Sequence, residues 1–415
     1  MTAHESAVAD VLVIGGGPAG STTAARLAER GHRVLLLESG TAGQPKACGE
    51  LLTPRAVAAT TELGVSLDGF HRVDYVRLTE GDRSASTRWP GHPDFGDHAV
   101  VAARPQFDDL LRRRAADVGA TVLTRHAATA PIVERGFVRG AAVTGPAQEP
   151  LEMRAAYTVV ADGANSRFGR ALGTFRRRSW PYALAHRAVY RSALHDAPEA
   201  ELVLDLHDRA GTRITGYGWM FPRGDGTVNV GALMMSTAPS FQVVKPAHVL
   251  ERLLDDHGPR WQLDGDPVEP GAGGRIPLGH AVGPTAGPTW LVVGDAAAAA
   301  NPMTGAGIEY AMETGMAAAE VIDEALTTDT AAALQRYPKL LDERCGAYFK
   351  VGRLANRLLG RPTMAKRLAW LSTAGGPFSA AFVRITANEL RPGHLGAAEL
   401  TYRVGRALSR VAPES

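Results

Sequence analysis

Hydrophobic positions along this chain change their period several times, and the changes mark its elements. Val11-Leu-Val-Ile14 is a continuous apolar, β-branched run of the kind that fills a buried strand, and an Ala- and Leu-rich segment with helical spacing follows it. Gly31 closes that helix, and Arg33-Val-Leu-Leu-Leu37 reads as a second strand parallel to the first. Pro54 to Leu63 predicts a helix, Val73 to His98 alternates loosely as strands do, Ala103 to Val118 returns to helical spacing, and Ala120 to Leu123 reads as a strand. Tyr157 to Ala161 and the run beginning at Trp290 are further buried-type strands. From Trp180 to about Arg275, short alternating runs with Gly and Pro turns predict a sheet of a different kind. A helix is expected from about Gly305 to Leu326, and everything from about Ala331 to Ser415 reads as helical.

This order predicts an α/β protein with a Rossmann-like nucleotide-binding domain interrupted by a second sheet. Its expected parts are 1–70, 100–175 and 287–328 for the nucleotide domain, 71–99 and 176–286 for an inserted antiparallel substrate sheet, and 329–415 for a helical C-terminal region.

The chemistry concentrates where strands end. Gly15-Gly-Gly17-Pro18-Ala19-Gly20 directly follows the first strand, so Gly15, Gly17 and Gly20 fill the G-x-G-x-x-G positions. The first permits the turn, the second lets backbone approach a pyrophosphate, and the third lets helix pack on strand. The free helix N-terminus then faces the phosphates. Glu38 ends the second strand, with Ser39 beside it, where an acid accepts hydrogen bonds from an unphosphorylated adenosine ribose. Asp162-Gly163 and Gly294-Asp295 each follow a buried strand and mark ligand-side loops. A helix opening near Gly305-Ala-Gly307-Ile308 would aim free N–H groups at a bound electron-rich group.

Composition removes some classes. A chain of 415 residues holds two joined domains and an appendage. With Lys+Arg 45 against Asp+Glu 43, the formal charge of +2 gives no field to recruit nucleic acid, and no metal-ligand pattern stands out. Cys48 and Cys345 are too few for a disulfide framework and suit a reducing compartment. Met1-Thr-Ala-His-Glu-Ser lacks the form of a signal peptide, and no uninterrupted stretch of about 20 apolar residues occurs. The expectation is a soluble cytoplasmic protein.

The three strand-ended signatures, in this order, resemble the FAD-binding set of the single-component flavoprotein hydroxylase superfamily. That resemblance implies FAD as cofactor, with Asp295 at the ribityl and pyrophosphate region, Asp162 supporting the site and Arg104 along the cofactor. Two further motifs narrow it. Pro45-Lys-Ala-Cys48-Gly49 and Tyr217-Gly-Trp219-Met-Phe221-Pro222 are similar to the P-x-x-C-G and Y-x-W-x-F-P signatures of geranylgeranyl reductases, closest to the branch reducing the prenyl tail of menaquinone. Ile214 stands where family members often carry Pro. Tyr217, Trp219 and Phe221 alternate and so share one face of a strand, while Gly216, Gly218 and Met220 take the other.

By this resemblance Cys48 and Gly49 lie near the flavin, Tyr217, Trp219 and Phe221 form a wall against an isoprenoid lipid, and Cys48, Tyr217 and Trp219 assist reduction of its double bond. Only one dinucleotide fingerprint is present, so NAD(P)H or an electron-transfer protein would act as a transient donor. A flavin monooxygenase or halogenase-like tailoring enzyme is the enzymatic alternative, and a flavin-binding escort protein the non-enzymatic one. From Leu341 to Ser415 basic residues exceed acidic ones by 7. Near the end Leu400, Val404, Leu408 and Val411 share one helical face and Arg403, Arg406 and Arg410 another. The plainer expectation is that this apolar face packs on the body; the other is peripheral contact with an anionic membrane at its inner face.

Overall fold

The computed structural model describes residues 7–41, 46–391 and 393–411. The readings placed on 1–6, on Pro45 and on the side chain of Val411 lie outside the described residues.

The first sheet is a parallel nucleotide-binding sheet with an added hairpin. Ala7–Ile14 lies between Val34–Glu38 and Pro150–Val160, with Thr121–Thr124 outside one and Trp290–Val292 outside the other, all parallel. Val11, Val13 and Leu36 are fully buried, as continuous apolar runs in a two-sided sheet must be. The antiparallel hairpin Ala127–Glu134 and Phe137–Thr144 extends this sheet from the first half of Pro150–Val160. The sequence reading placed no strand there and began the central one at Tyr157, because Glu152 and Arg154 interrupt the apolar run on a face that is only half covered. Pro18–Ala28 and the long helix Ile308–Thr328 pack together on the sheet. A Cβ on Gly315 would lie 2.5 Å from the Ala19 carbonyl oxygen, so glycine permits that approach.

The long helix starts at Ile308, with Gly307 as its cap, three residues later than expected. Asn301 to Ala306 instead form a tight turn closed by backbone bonds, with Gly305 at a φ of +75°.

The second sheet runs in the order Leu263–Pro277, Tyr182–Ser192, Thr227–Met235, Gly216–Pro222, Glu199–Val203, Tyr75–Glu80, Arg83–Arg88. The pairs are antiparallel except Glu199–Val203 with Tyr75–Glu80. The region also holds a helix, Pro246–His257, that the sequence reading missed; its Val249, Leu250 and Leu253 cover the Met220 face. The Tyr217, Trp219 and Phe221 face turns the other way, towards the nucleotide domain.

Helices Ala347–Leu359, Pro362–Ser372, Gly376–Thr386 and Ala397–Val411 lie over the junction. The Asn301 amide fastens them by donating to the Thr386 carbonyl at 2.9 Å and to the Tyr348 hydroxyl at 3.2 Å. The last helix corrects one expectation. Leu400, Val404 and Leu408 do not pack on the body but are 49%, 61% and 55% exposed, while Ala398 and Ser409 face inward.

Candidate active site

One cavity of about 1260 Å³ joins the three parts of the fold. At one end it opens on the glycine turn. Gly15 has a φ of +108°, and a Cβ there would lie 2.2 Å from the Ala161 carbonyl oxygen. Gly17, in contrast, has nothing within 4 Å of its Cβ position, which leaves room against the N–H groups of Pro18–Ala28 for a phosphate. The Glu38 carboxylate borders the same space and is held by the Gly16 N–H at 2.9 Å and the Gly40 N–H at 2.7 Å. The hydroxyl of Ser39 reaches it at 3.5 Å.

Gly15, Gly17, Pro18, Ala19, Glu38 and Ser39 all line the cavity. So do Arg104, Asp162, Gly163, Asp295, Gly305, Gly307 and Ile308. Gly20 and Gly294 do not. They sit behind the wall, where a Cβ would lie 1.9 Å from the Gly15 carbonyl oxygen or 2.8 Å from the Ala19 Cβ, and they serve packing.

Polar groups here are left for a ligand. Asp162 Oδ2 accepts the Phe168 N–H at 2.9 Å, but its buried Oδ1 has no partner among the described residues. Burial pushes the Asp162 carboxyl above its usual range. Asp295 is also pushed up by burial, against the pull of Arg104 and Lys46. A dinucleotide with ribose and ribityl hydroxyls fits this set of acceptors, open turn and free helix ends.

Arg104 is not a surface residue. Its guanidinium donates to Asp108 at 2.9 and 3.1 Å, and Lys46 donates to the same carboxylate at 2.6 Å. Burial would raise the Asp108 carboxyl, yet Arg104 and Lys46 outweigh it and hold it below its ordinary value. Arg104 and Cys48 line the same stretch of the cavity. One turn beyond Asp108, Arg112 donates to the Gly16 carbonyl at 3.1 Å and braces the glycine turn.

The middle of the cavity is where Cys48 meets the aromatic strand. Cys48 Sγ accepts the Glu50 N–H at 3.3 Å. Asn229, fully buried on the neighbouring strand, accepts from the Trp219 indole at 2.9 Å and donates to the Cys48 carbonyl and to Glu50 Oε2, both at 3.0 Å. Glu50 in turn accepts the Arg104 N–H at 3.1 Å, and these bonds hold it at a φ of +66° that costs a residue with a Cβ on the order of 1 kcal/mol. A Cβ on Gly49 would lie 2.9 Å from the Phe221 ring. Trp219 lies over Gly231, where a Cβ would lie 2.1 Å from its ring. Trp219 and Phe221 stack with centroids 6.2 Å apart. Tyr217 donates to the Thr304 carbonyl at 2.7 Å, tying this strand to the loop before the long helix, and burial holds its phenol well above the usual pKa. Beyond the wall the cavity becomes apolar, lined by Leu202, Leu204 and Met235 from the sheet and by Leu368, Phe378 and Phe382 from the C-terminal helices.

Sequence reasoning missed Lys46, Glu50, Asp108, Arg112 and Asn229. The four-residue spacing of Arg104, Asp108 and Arg112 on one helical face was the signal available for two of them.

A family model described as an FAD binding domain matches residues 8–193, so the cofactor is FAD and the chain is an FAD-dependent oxidoreductase. A menaquinone reductase of Mycobacterium tuberculosis is 34% identical over 97% of this chain and 97% of its own. Digeranylgeranylglycerophospholipid reductase 2 of Methanopyrus kandleri is 34% identical over 84% of this chain and 86% of its own. Among solved structures, a geranylgeranyl bacteriochlorophyll reductase-like protein of Thermoplasma acidophilum superposes with a TM-score of 0.77 at 27% identity, covering 89% of this chain and 92% of that one. The chain belongs to the geranylgeranyl reductase family.

Proposed function

We propose that this chain saturates isoprenoid carbon–carbon double bonds, with the prenyl tail of menaquinone as first substrate and a geranylgeranyl chain as second. The observation that carries the reading is the continuity of one cavity from the dinucleotide turn, past Cys48 and the aromatic strand, into an apolar channel. Relatives named as menaquinone and digeranylgeranylglycerophospholipid reductases support it.

In this reading Gly15, Gly17, Pro18 and Ala19 hold the pyrophosphate, Glu38 and Ser39 the adenosine ribose, and Asp162, Gly163 and Asp295 the ribityl side. Gly305, Gly307 and Ile308 present the N-terminus of the long helix to the ring. Reduced FAD, when bound, supplies the hydride, and NAD(P)H or an electron-transfer protein restores it.

An isolated alkene has no carbonyl to take up charge, so a proton must reach the second carbon as hydride reaches the first. Cys48 is the donor at hand, its sulfur held by the Glu50 N–H. The apolar walls keep water from competing, and the faces of Tyr217 and Trp219 stabilise positive charge developing on the alkene.

The reading includes peripheral docking on an anionic membrane from its cytoplasmic side. Ten of the fifteen large apolar residues exposed among the described residues fall between Leu358 and Leu408, around the channel end of the cavity. No helix among the described residues is long and apolar enough to cross a membrane.

Mass spectrometry of lipids incubated with the reduced protein tests the function: one lipid class gains two hydrogens for each bond saturated. Oxygen consumed in proportion to reductant and substrate would instead support the monooxygenase alternative. Cys48→Ala and Cys48→Ser that reduce within a few-fold of wild type would remove Cys48 from the proton path.

A further inference from the structure

Two residues that line the cavity carry a buried polar side-chain atom without a partner among the described residues: Asp162 at Oδ1 and Trp89 at Nε1. Asp162 stands at the dinucleotide end, where ribityl hydroxyls fit it. Trp89 stands at the apolar end, and the mechanism above does not use it. It follows the edge strand Arg83–Arg88, its backbone N–H donates to the Asp74 carbonyl at 3.1 Å, and it packs in one cluster with Val76, Leu202, Leu204 and Phe382. Only 5% of the residue is exposed. A buried indole N–H ordinarily has an acceptor, because burial without one forfeits its hydration.

The walls do not supply that acceptor. Thr215, Ser372 and Thr386 line the same cavity, but their hydroxyls donate to the Leu359, Ala369 and Phe382 carbonyls at 3.2, 2.8 and 2.8 Å, and none meets the indole. A water bound to Trp89 needs several polar partners, and its neighbours here are apolar. An oxygen carried in by the lipid completes the bond.

The lining also limits the charge of that oxygen. Among the described residues, the lysines and arginines lining the cavity are Lys46, Arg104 and Arg275. Asp108 holds the first two, and Arg275 lies over the Tyr182 ring, 5.1 Å from its centroid. None of the three comes from the strands and helix that carry Val76, Leu202 and Phe382. A diphosphate at this end would be buried without a counter-ion, at heavy cost, whereas a neutral carbonyl asks only for a donor.

We propose that the Trp89 indole N–H binds the carbonyl oxygen of a neutral lipid head group, a quinone ring, and thereby sets which isoprene unit lies beside Cys48 and the aromatic strand; the identity of the lipid rests on the function proposed above. Trp89 and Trp219 belong to one packed cluster, so the span from head to reacting bond is fixed, and a set number of isoprene units bridges it. An isoprenoid without a head oxygen lacks this anchor and slides. Trp89 selects the lipid and its register and takes no part in the hydride or proton steps.

The test uses the FAD-loaded protein, labelled at its indole nitrogens, and NMR spectroscopy of the six tryptophan N–H resonances. The Trp89 resonance is the one missing from Trp89→Phe. A short-tailed menaquinone moves it downfield as the bond forms, and squalene, which has no oxygen, does not. Trp89→Phe binds the menaquinone about three- to tenfold more weakly, the worth of one hydrogen bond, and binds squalene as wild type does. Mass spectrometry of the reduced menaquinone locates the new hydrogens on one isoprene unit for wild type and spread over neighbouring units for Trp89→Phe. A resonance unmoved by menaquinone, an equal shift with geranylgeranyl diphosphate, or a variant with wild-type affinity and the same reduced unit overturns the proposal. A wild type whose Trp89 resonance moves with menaquinone but which reduces no lipid overturns the functional reading and upholds the head-group site.

Discussion

Replacing Asn229 by Leu tests whether the cysteine loop and the aromatic strand are one device. The amide sits fully buried between them, accepting from Trp219 and donating to Cys48 and Glu50 at 2.9 to 3.0 Å. Leucine is of similar size but offers none of these bonds. Each buried polar group left without a partner costs about 1–3 kcal/mol. Glu50 keeps Arg223 at 3.6 Å, and the Cys48 carbonyl borders the cavity where water can reach it, so Trp219 bears most of the loss. The expected cost is about 3 kcal/mol, read as a lower urea midpoint at unchanged slope. Asn229 does not line the dinucleotide end, so FAD affinity stays within a few-fold of wild type. Reduction slows much more, because Cys48 and Trp219 are no longer fixed relative to each other. A loss below about 1 kcal/mol, or weakened FAD binding with unimpaired reduction, would refute this reasoning.

Gly231→Ala places a methyl 2.1 Å from the Trp219 ring and forces the indole out of its seat, so urea unfolding should show a loss of about 2 kcal/mol or more. The raised Glu389 carboxyl makes the folded state bind its proton more tightly than the unfolded state, in which it ionises near 4.5. Its stabilisation is therefore complete below that pH and falls as pH rises to about 8, at about 1.4 kcal/mol per pH unit. Glu309 stops contributing to the slope by about 7, so between pH 7 and 8 Glu389→Gln should show a flat urea midpoint where the wild type declines. Replacing Leu400, Val404 and Leu408 by Ser should abolish co-sedimentation with anionic vesicles and leave unfolding within about 0.5 kcal/mol; equal binding would count against membrane docking.

Legibility followed the range of the interactions. The glycine turn and its flanking strands could be read because each rests on neighbours in sequence: a β-branched run, a helix-permissive segment and an acid at a strand end. The alternation of Tyr217, Trp219 and Phe221 likewise fixed a shared face before any contact was known. Pro246–His257 was missed although Pro246 stands at its first turn and Val249, Leu250 and Leu253 have helical spacing, because the strands around it dominated the reading. Asn229 was invisible, since nothing near it in sequence hints at a bond to Cys48. The apolar stripe of Ala397–Val411 was plain, but amphipathicity does not say what a stripe faces. Small residues let the opposite side pack inward.

The central strand of the first sheet also has a bearing on how the chain is made. Thr158 pairs with Trp290, and Ala19 waits for Gly315 to lie against it. During synthesis the amino-terminal half therefore emerges with an unfinished sheet margin and a bare helix flank, and stays so until the whole inserted region has left the ribosome. Nascent chains stalled before Trp290 should be prone to protease and to chaperone capture, and those extended beyond Thr328 should not.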